Sequence, residues 1–304
     1  MTSSTAMRIV VGVDFFPCSE SALVQAARLA NSTHAALHVF HAVEPLVVTN
    51  LADTLPDSVE ELRQRVVKDS KRALSEAVDK AGDTRPEQIE LDVTVGSPVQ
   101  EVLRKAQAVY ADLLVLGKYG SFGARRRLGA TVEKCVRKAQ ISTLVVQESH
   151  AEPFRVVVVC VDFSASSQAA LEYAVRIAAL YRSQLCLLHV FRGPWHRLHY
   201  RAPTREANPD FKRQYMAALQ ARLEALLEPY ADELKGLSPQ CELYDCQDCD
   251  YGIVDFSEKR GADLVVVGRG KTTLYSLLFG STSQRVTQEL PCSILVARPM
   301  KGRN

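Results

Sequence analysis

Met7-Arg8-Ile9-Val10-Val11-Gly12-Val13-Asp14-Phe15 returns as Phe154-Arg155-Val156-Val157-Val158-Val159-Cys160-Val161-Asp162-Phe163, and Leu113-Leu114-Val115-Leu116-Gly117 returns as Leu264-Val265-Val266-Val267-Gly268. The offsets, 148 residues between the aspartates and 151 between the glycines, are too alike for chance. A period near 150 residues far exceeds a solenoid repeat, so each copy is expected to be a domain with its own core. The sequence divides into a first domain over 1–149 and a second over 154–304, with the polar, proline-bearing stretch Glu148–Pro153 as linker.

Each copy reads as five strands alternating with helices. Arg155–Val161 is a nearly continuous β-branched run, the pattern of a parallel strand covered on both faces. After it, Ser164–Ser167 offers capping hydroxyls, and Ala170, Leu171, Ala174, Ile177 and Ala178 recur with helical spacing. Ser19, Ala22, Leu23, Ala26 and Ala30 match them in the first copy. Second strands over Leu37–Ala42 and Leu185–Val190 lead into loops marked by Pro45 and Pro194, then into helices over Ser58–Lys80 and Asp210–Leu234. Third strands come next at Ile89–Val95 and Cys241–Tyr244; the fourth end at Gly117 and Gly268. Helices over Thr131–Lys138 and Thr282–Glu289 precede closing strands over Thr143–Val146 and Ile294–Ala297. The fold class is therefore α/β: two tandem, doubly wound, parallel five-stranded sheets of Rossmann-like type, which bind ligands at strand carboxyl ends.

The near balance of 37 basic and 35 acidic residues, spread along the chain, lacks the stripe that nucleic acid requires. No apolar run has the length of a membrane span, and Met1–Ala6 has no apolar signal core, so the expectation is a soluble, cytoplasmic protein that binds neither nucleic acid nor membrane. Eight cysteines in 304 residues do not make a disulfide scaffold.

In the second copy Asp162, Val190 and the glycine loop all fall at strand carboxyl ends and converge on one crevice. Gly268-Arg269-Gly270 is succeeded by nine residues and then Gly280-Ser281-Thr282. Gly268 and Gly270 let backbone approach a ligand, while the helix opened at Gly280 offers free N–H groups and hydroxyls to an anion. The bland alternative is that the glycines merely end a strand and Ser281 merely caps a helix.

These residues resemble the universal stress protein family, whose ATP-binding branch carries Gly-x2-Gly-x9-Gly-Ser/Thr after its fourth strand and Asp-Phe-Ser after its first. The resemblance spans nearly the whole chain and implies an adenine nucleotide alpha hydrolase-like fold. It implies that Asp162 and Val190 contact adenosine and that Gly268, Arg269, Gly270, Gly280, Ser281 and Thr282 hold phosphates of ATP, with or without Mg2+. The second copy departs in having one residue between Gly268 and Gly270 instead of two. In the first copy the corresponding positions are Asp14, Ala42, Gly117, Gly120, Gly129 and Thr131, but only eight residues separate Gly120 from Gly129, and Ala130-Thr131 follows in place of Gly-Ser, so that either the loop is one residue short or Ala130 stands where a glycine is wanted. A residue missing within helix rotates all later side chains by about 100°, and a Cβ at Ala130 obstructs close approach. The first site is read as weak or empty, with Arg125, Arg126 and Arg127 either compensating by charge or forming a solvated face.

Gly270-Lys271-Thr272 imitates the tail of a Walker A loop, but the first glycine of that motif would fall at Val265. Cys246 and Cys249, with Cys241 nearby, show no fourth ligand for a structural metal, and Asp245, Asp248 and Asp250 are expected to raise thiol pKa values. Repeat alignment sets them opposite Gly96-Ser97-Pro98, at a different strand end from the glycine loop. His38 and His41 lie on opposite faces of a strand and cannot share a metal. No metal site and no catalytic residue is assigned. The function expected is ATP-dependent regulation in stress response rather than catalysis, slow hydrolysis being left open. The alternatives are a nucleotide-free interaction module or a thiol redox sensor built on Cys246 and Cys249. Expected assembly is pairing of the two domains through their closing strands, and a homodimer.

Overall fold

A computed structural model describes residues 7–81, 86–120, 128–197, 209–269 and 292–299. The chain separates into two compact units, Met1–Pro153 and Phe154–Asn304.

Unit 1 runs β1 (Arg8–Gly12), α1 (Pro17–Thr33), β2 (Ala36–Val43), α2 (Pro45–Ala52), α3 (Val59–Lys80), β3 (Ile89–Val95), α4 (Pro98–Ala108), β4 (Leu113–Gly117), α5 (Ala130–Lys138) and β5 (Ser142–Val146). Its strands are ordered β3-β2-β1-β4-β5 and pair in parallel. Unit 2 runs β6 (Val156–Cys160), α6 (Ala165–Tyr181), β7 (Gln184–Phe191), α7 (Pro209–Ala225), β8 (Gln240–Asp245), α8 (Cys249–Arg260), β9 (Leu264–Gly268) and β10 (Ser293–Ala297). The order β8-β7-β6-β9-β10, again parallel, repeats that of unit 1. In each unit the order reverses beside its first strand, the place where doubly wound sheets bind ligands at the carboxyl ends.

The β-branched runs at Val10, Val11, Val157, Val158 and Val159 are fully buried because helices cover both faces. At the amino ends, Asp112 accepts from the Arg8 N–H at 2.8 Å, and Asp263 accepts from the Arg155 and Val156 N–H groups at 2.8 and 2.9 Å. Helix starts obey local chemistry. Ser58 and Glu61 form a reciprocal capping box on α3, Ser164 accepts from Ser167 at the start of α6, and Asp248 accepts from Asp250 and Tyr251 at the start of α8.

Two elements differ from the sequence reading. The helix expected over Asp210–Leu234 stops at Ala225 and gives way to a short 3-10 turn over Glu228–Tyr230. Pro229 supplies no N–H, and its ring clashes with the carbonyl four residues back, which is that of Ala225. The loop expected at Pro45 is instead the helix α2, because proline at the first helical position gives up no needed donor. The expected helix over Thr282–Glu289 lies outside the described residues.

Candidate nucleotide crevice

In unit 2 an open crevice is lined by Val161, Asp162, Val190, Val267 and Gly268, with Cys160, Ser166, Ser167, Leu188, Cys249 and Ile253 completing the wall. Asp162, Val190 and Gly268, which the sequence put at three strand ends, are thus brought together. Arg269 follows Gly268 in the chain but does not line the crevice; its N–H bonds the Ala297 carbonyl at 2.9 Å. Gly270, Gly280, Ser281 and Thr282 lie outside the described residues.

Asp162 heads a tight turn. One carboxylate oxygen accepts from the Ser164 N–H at 3.0 Å and from the Ser164 hydroxyl at 2.5 Å. Phe163, which the turn encloses, has φ of 60°, the left-handed region that a bulky residue rarely enters. Glycine at 268 answers a protein contact: a Cβ there would lie 2.1 Å from the Ser166 carbonyl oxygen. Its close approach is to α6, which is what seats the first turn of that helix beside the crevice. Gly252 acts similarly on α8, where a Cβ would come 2.7 Å from Val190 Cγ1. The helix therefore lies against β7 and its first residue, Cys249, reaches the crevice.

That position corrects the sequence reading of the thiols. Repeat alignment is sound: the Cys246 N–H bonds the Phe191 carbonyl at 3.0 Å as the Gly96 N–H bonds the Val43 carbonyl at 2.9 Å. Yet Cys249 shares the crevice with Asp162 and Gly268, because the crossover from edge strand β8 to β9 carries α8 back over β7 and β6. Its Sγ lies 3.8 Å from the Val190 carbonyl. Burial first, and then Asp250, Cys246 and Asp248, push its thiol up; the acidic neighbours are secondary. All eight cysteines, each among the described residues, are free. No group of three or more His, Cys, Asp or Glu side chains is placed to hold a metal ion among the described residues.

Unit 1 repeats the frame. Asp14 accepts from the Phe16 N–H at 3.1 Å, and Phe15 has φ of 63°. A Cβ at Gly117 would meet the Cys18 backbone at 2.6 Å, the same demand as at Gly268. Beyond it, Gly120 packs on the aspartate, where a Cβ would lie 2.7 Å from Asp14 Oδ2. Lys118 is buried and bonds the Gln147 side chain at 3.2 Å, and its carbonyl receives the Gly129 N–H at 2.9 Å. Ala42 stands at the end of β2, and Thr131 is exposed in the first turn of α5. His38 and His41 part as expected: His38 Nδ1 pairs with Glu90 at 2.5 Å, while His41 Nδ1 meets the Val13 carbonyl at 2.7 Å.

The universal stress protein family profile matches the chain twice, over residues 5–147 and 153–298. The chain belongs to the universal stress protein family. A universal stress protein of Mycolicibacterium smegmatis is 27% identical over 98% of this chain and 99% of its own length. One of Mycobacterium tuberculosis is 28% identical over 97% of this chain and 96% of its own. The crystal structure of a universal stress protein from Archaeoglobus fulgidus superposes with a TM-score of 0.65 at 16% identity, covering 96% of this chain and 98% of that one, which is a likeness of fold. No described helix is long and apolar enough to cross a membrane.

Proposed function

We propose that this protein is an ATP-binding tandem universal stress protein with a regulatory role in stress response, and that its working site is in unit 2. Supporting this reading above all is the crevice that joins Asp162, Val190 and Gly268 at three strand ends. Its walls fit adenosine: apolar side chains suit the base, and a carboxylate at the mouth suits ribose hydroxyls. Gly270, Gly280, Ser281 and Thr282 would then hold phosphates, with or without Mg2+. Unit 1, where Gly120 occupies the space against Asp14, is assigned the degenerate site. Catalysis is not part of the reading, since phosphoryl transfer needs a base or metal ligand positioned at the γ-phosphate and the phosphate residues offer hydroxyls and Lys271.

A thiol sensor has one supporting observation, the place of Cys249 in the crevice wall. Against it stands the raised thiol pKa, which leaves little thiolate at neutral pH. By the same overall reading the closing strands are pairing edges, and either half expressed alone should self-associate. Sedimentation showing a strictly monomeric, folded half contradicts that part.

The direct test is mass spectrometry of the purified protein after mild denaturation, in which a tightly held ATP appears at up to one per chain. Gly280→Asp with Ser281→Ala should weaken ATP binding by at least about a hundredfold, given roughly 1.5 to 3 kcal/mol per charge-assisted hydrogen bond. Gly129→Asp should change it far less. Equal losses from both changes would move the site or divide it between the units.

A further inference from the structure

His41 and His189 have no part in the nucleotide crevice, yet each unit builds the same device around them. The His189 Nδ1 lies 2.7 Å from the Val161 carbonyl, and its ring centroid lies 4.7 Å from that of Phe163, tilted by 56°. In unit 1 the His41 Nδ1 lies 2.7 Å from the Val13 carbonyl, and the ring centroid lies 4.7 Å from Phe15 at 51°. A carbonyl only accepts, so Nδ1 carries the proton in both rings. The phenylalanine touched has a left-handed backbone in each unit, φ 60° and 63°.

A bulky residue held in that region costs free energy and persists only where its surroundings over-determine it. The histidine supplies two of the restraints. It anchors the carbonyl two residues before the phenylalanine and packs on the phenyl ring itself. The Asp162 to Ser164 hydrogen bond closes around Phe163, so the backbone setting of that one residue governs where the carboxylate stands. Unit 2 adds further layers: His189 stacks on Phe191 with centroids 5.9 Å apart and planes within 5°, and the Arg222 guanidinium carbon sits 3.9 Å from the Phe163 ring centre. In unit 1 the residue two after the histidine is Val43, which cannot stack.

We propose that His189, and His41 in its own unit, is a positioning residue: by gripping the carbonyl before the aspartate and the phenyl ring after it, the imidazole holds the left-handed Asp-Phe turn and sets the direction of the carboxylate at the crevice. The consequence for ligand binding rests on the proposal that unit 2 binds ATP; the grip on the turn does not.

The experiment uses the full chain with His189→Leu, His189→Asn, Phe163→Gly and the Phe163→Gly, His189→Leu double variant. Asparagine places an amide N–H near the position of Nδ1, whereas leucine fills space without a donor. Calorimetric titration with ATP should show about a tenfold loss for His189→Leu, with most of the affinity kept by His189→Asn. Glycine adopts positive φ without support, so in the Phe163→Gly background the fall in thermal midpoint caused by His189→Leu should shrink to half or less. Should His189→Leu fail to fold alone, folding of the double variant reports the same coupling. Equal ATP affinity in the leucine and asparagine variants, or an undiminished fall in midpoint beside Phe163→Gly, overturns the proposal. If the wild-type chain binds no ATP, the nucleotide reading fails by itself and the thermal comparison still decides the role of His189.

Discussion

Units 1 and 2 share strand order, the left-handed Asp-Phe turn, the histidine that grips it and the glycine that admits the first helix, yet differ in the described residues set around the aspartate. In unit 1, Gly120 rests against Asp14, and Lys118 is buried on Gln147. In unit 2, Asp162 faces a crevice that Val190, Gly268 and Cys249 line. The frame is thus common to both copies, and the sequences diverge just beyond the fourth strand, where eight residues separate Gly120 from Gly129 and nine separate Gly270 from Gly280. Serine adds to the difference: Ser164 gives Asp162 a second donor, whereas Phe16 at the matching place gives Asp14 only its N–H.

If the strand-end glycines belong to the shared frame, substitution should be severe in both units. Gly268→Ala sets a methyl 2.1 Å from the Ser166 carbonyl oxygen and Gly117→Ala sets one 2.6 Å from the Cys18 carbonyl carbon. Backbone on both sides can yield little, so each change should cost about 3 kcal/mol of unfolding free energy, read by denaturant titration. A cost below about 1 kcal/mol in either unit would show that the helix start is free to move.

A smaller shared effect is in pH. Burial lowers the pKa of both His41 and His189, partly offset by their bonds to Val13 and Val161. The unfolded chain binds protons at these sites at higher pH than the folded one does. Stability from this source is complete above about pH 6.5 and is lost as pH falls through that value toward the lowered folded pKa. Thermal midpoints should decline between about pH 7.5 and 5.5, and His41→Asn and His189→Asn should each flatten the decline. A profile unchanged in both variants would assign it to other groups.

The smallest effect separates the two thiols. Cys249→Ser should alter ATP affinity by a few-fold at most, since it changes one wall atom, and Cys246→Ser should leave it unaltered. Alkylating Cys249 should obstruct binding altogether; ATP titration after labelling distinguishes the two sites. Full binding by the labelled protein would take Cys249 out of the wall.

Much of the architecture is legible in the residues alone. Buried parallel strands announce themselves as β-branched runs, so β3 lies at the expected Ile89–Val95 and the others within about a residue or two at each end. The convergence of Asp162, Val190 and Gly268 is a consequence of the doubly wound pattern. Elements with competing local signals are harder. Pro45 marks a loop or a helix start with equal right, and only packing chooses; Pro229 interrupts a pattern whose apolar spacing runs on to Leu234. Cys249 escapes strand-end arithmetic because that arithmetic ignores the helix returning over neighbouring strands. The histidine grip leaves a trace in the sequence, the same 28-residue spacing from Val13 to His41 and from Val161 to His189. Nothing in residue type, however, reveals a positive φ at phenylalanine.

The central claim is that one unit binds ATP and the other only repeats its frame. Calorimetric titration of ATP into the wild-type chain, Asp14→Asn and Asp162→Asn tests it most directly. A stoichiometry of one per chain is expected, with affinity kept by Asp14→Asn and reduced about tenfold or more by Asp162→Asn, in proportion to the loss of a charged acceptor. Two sites per chain, or a loss on changing Asp14 equal to that on changing Asp162, would contradict the account.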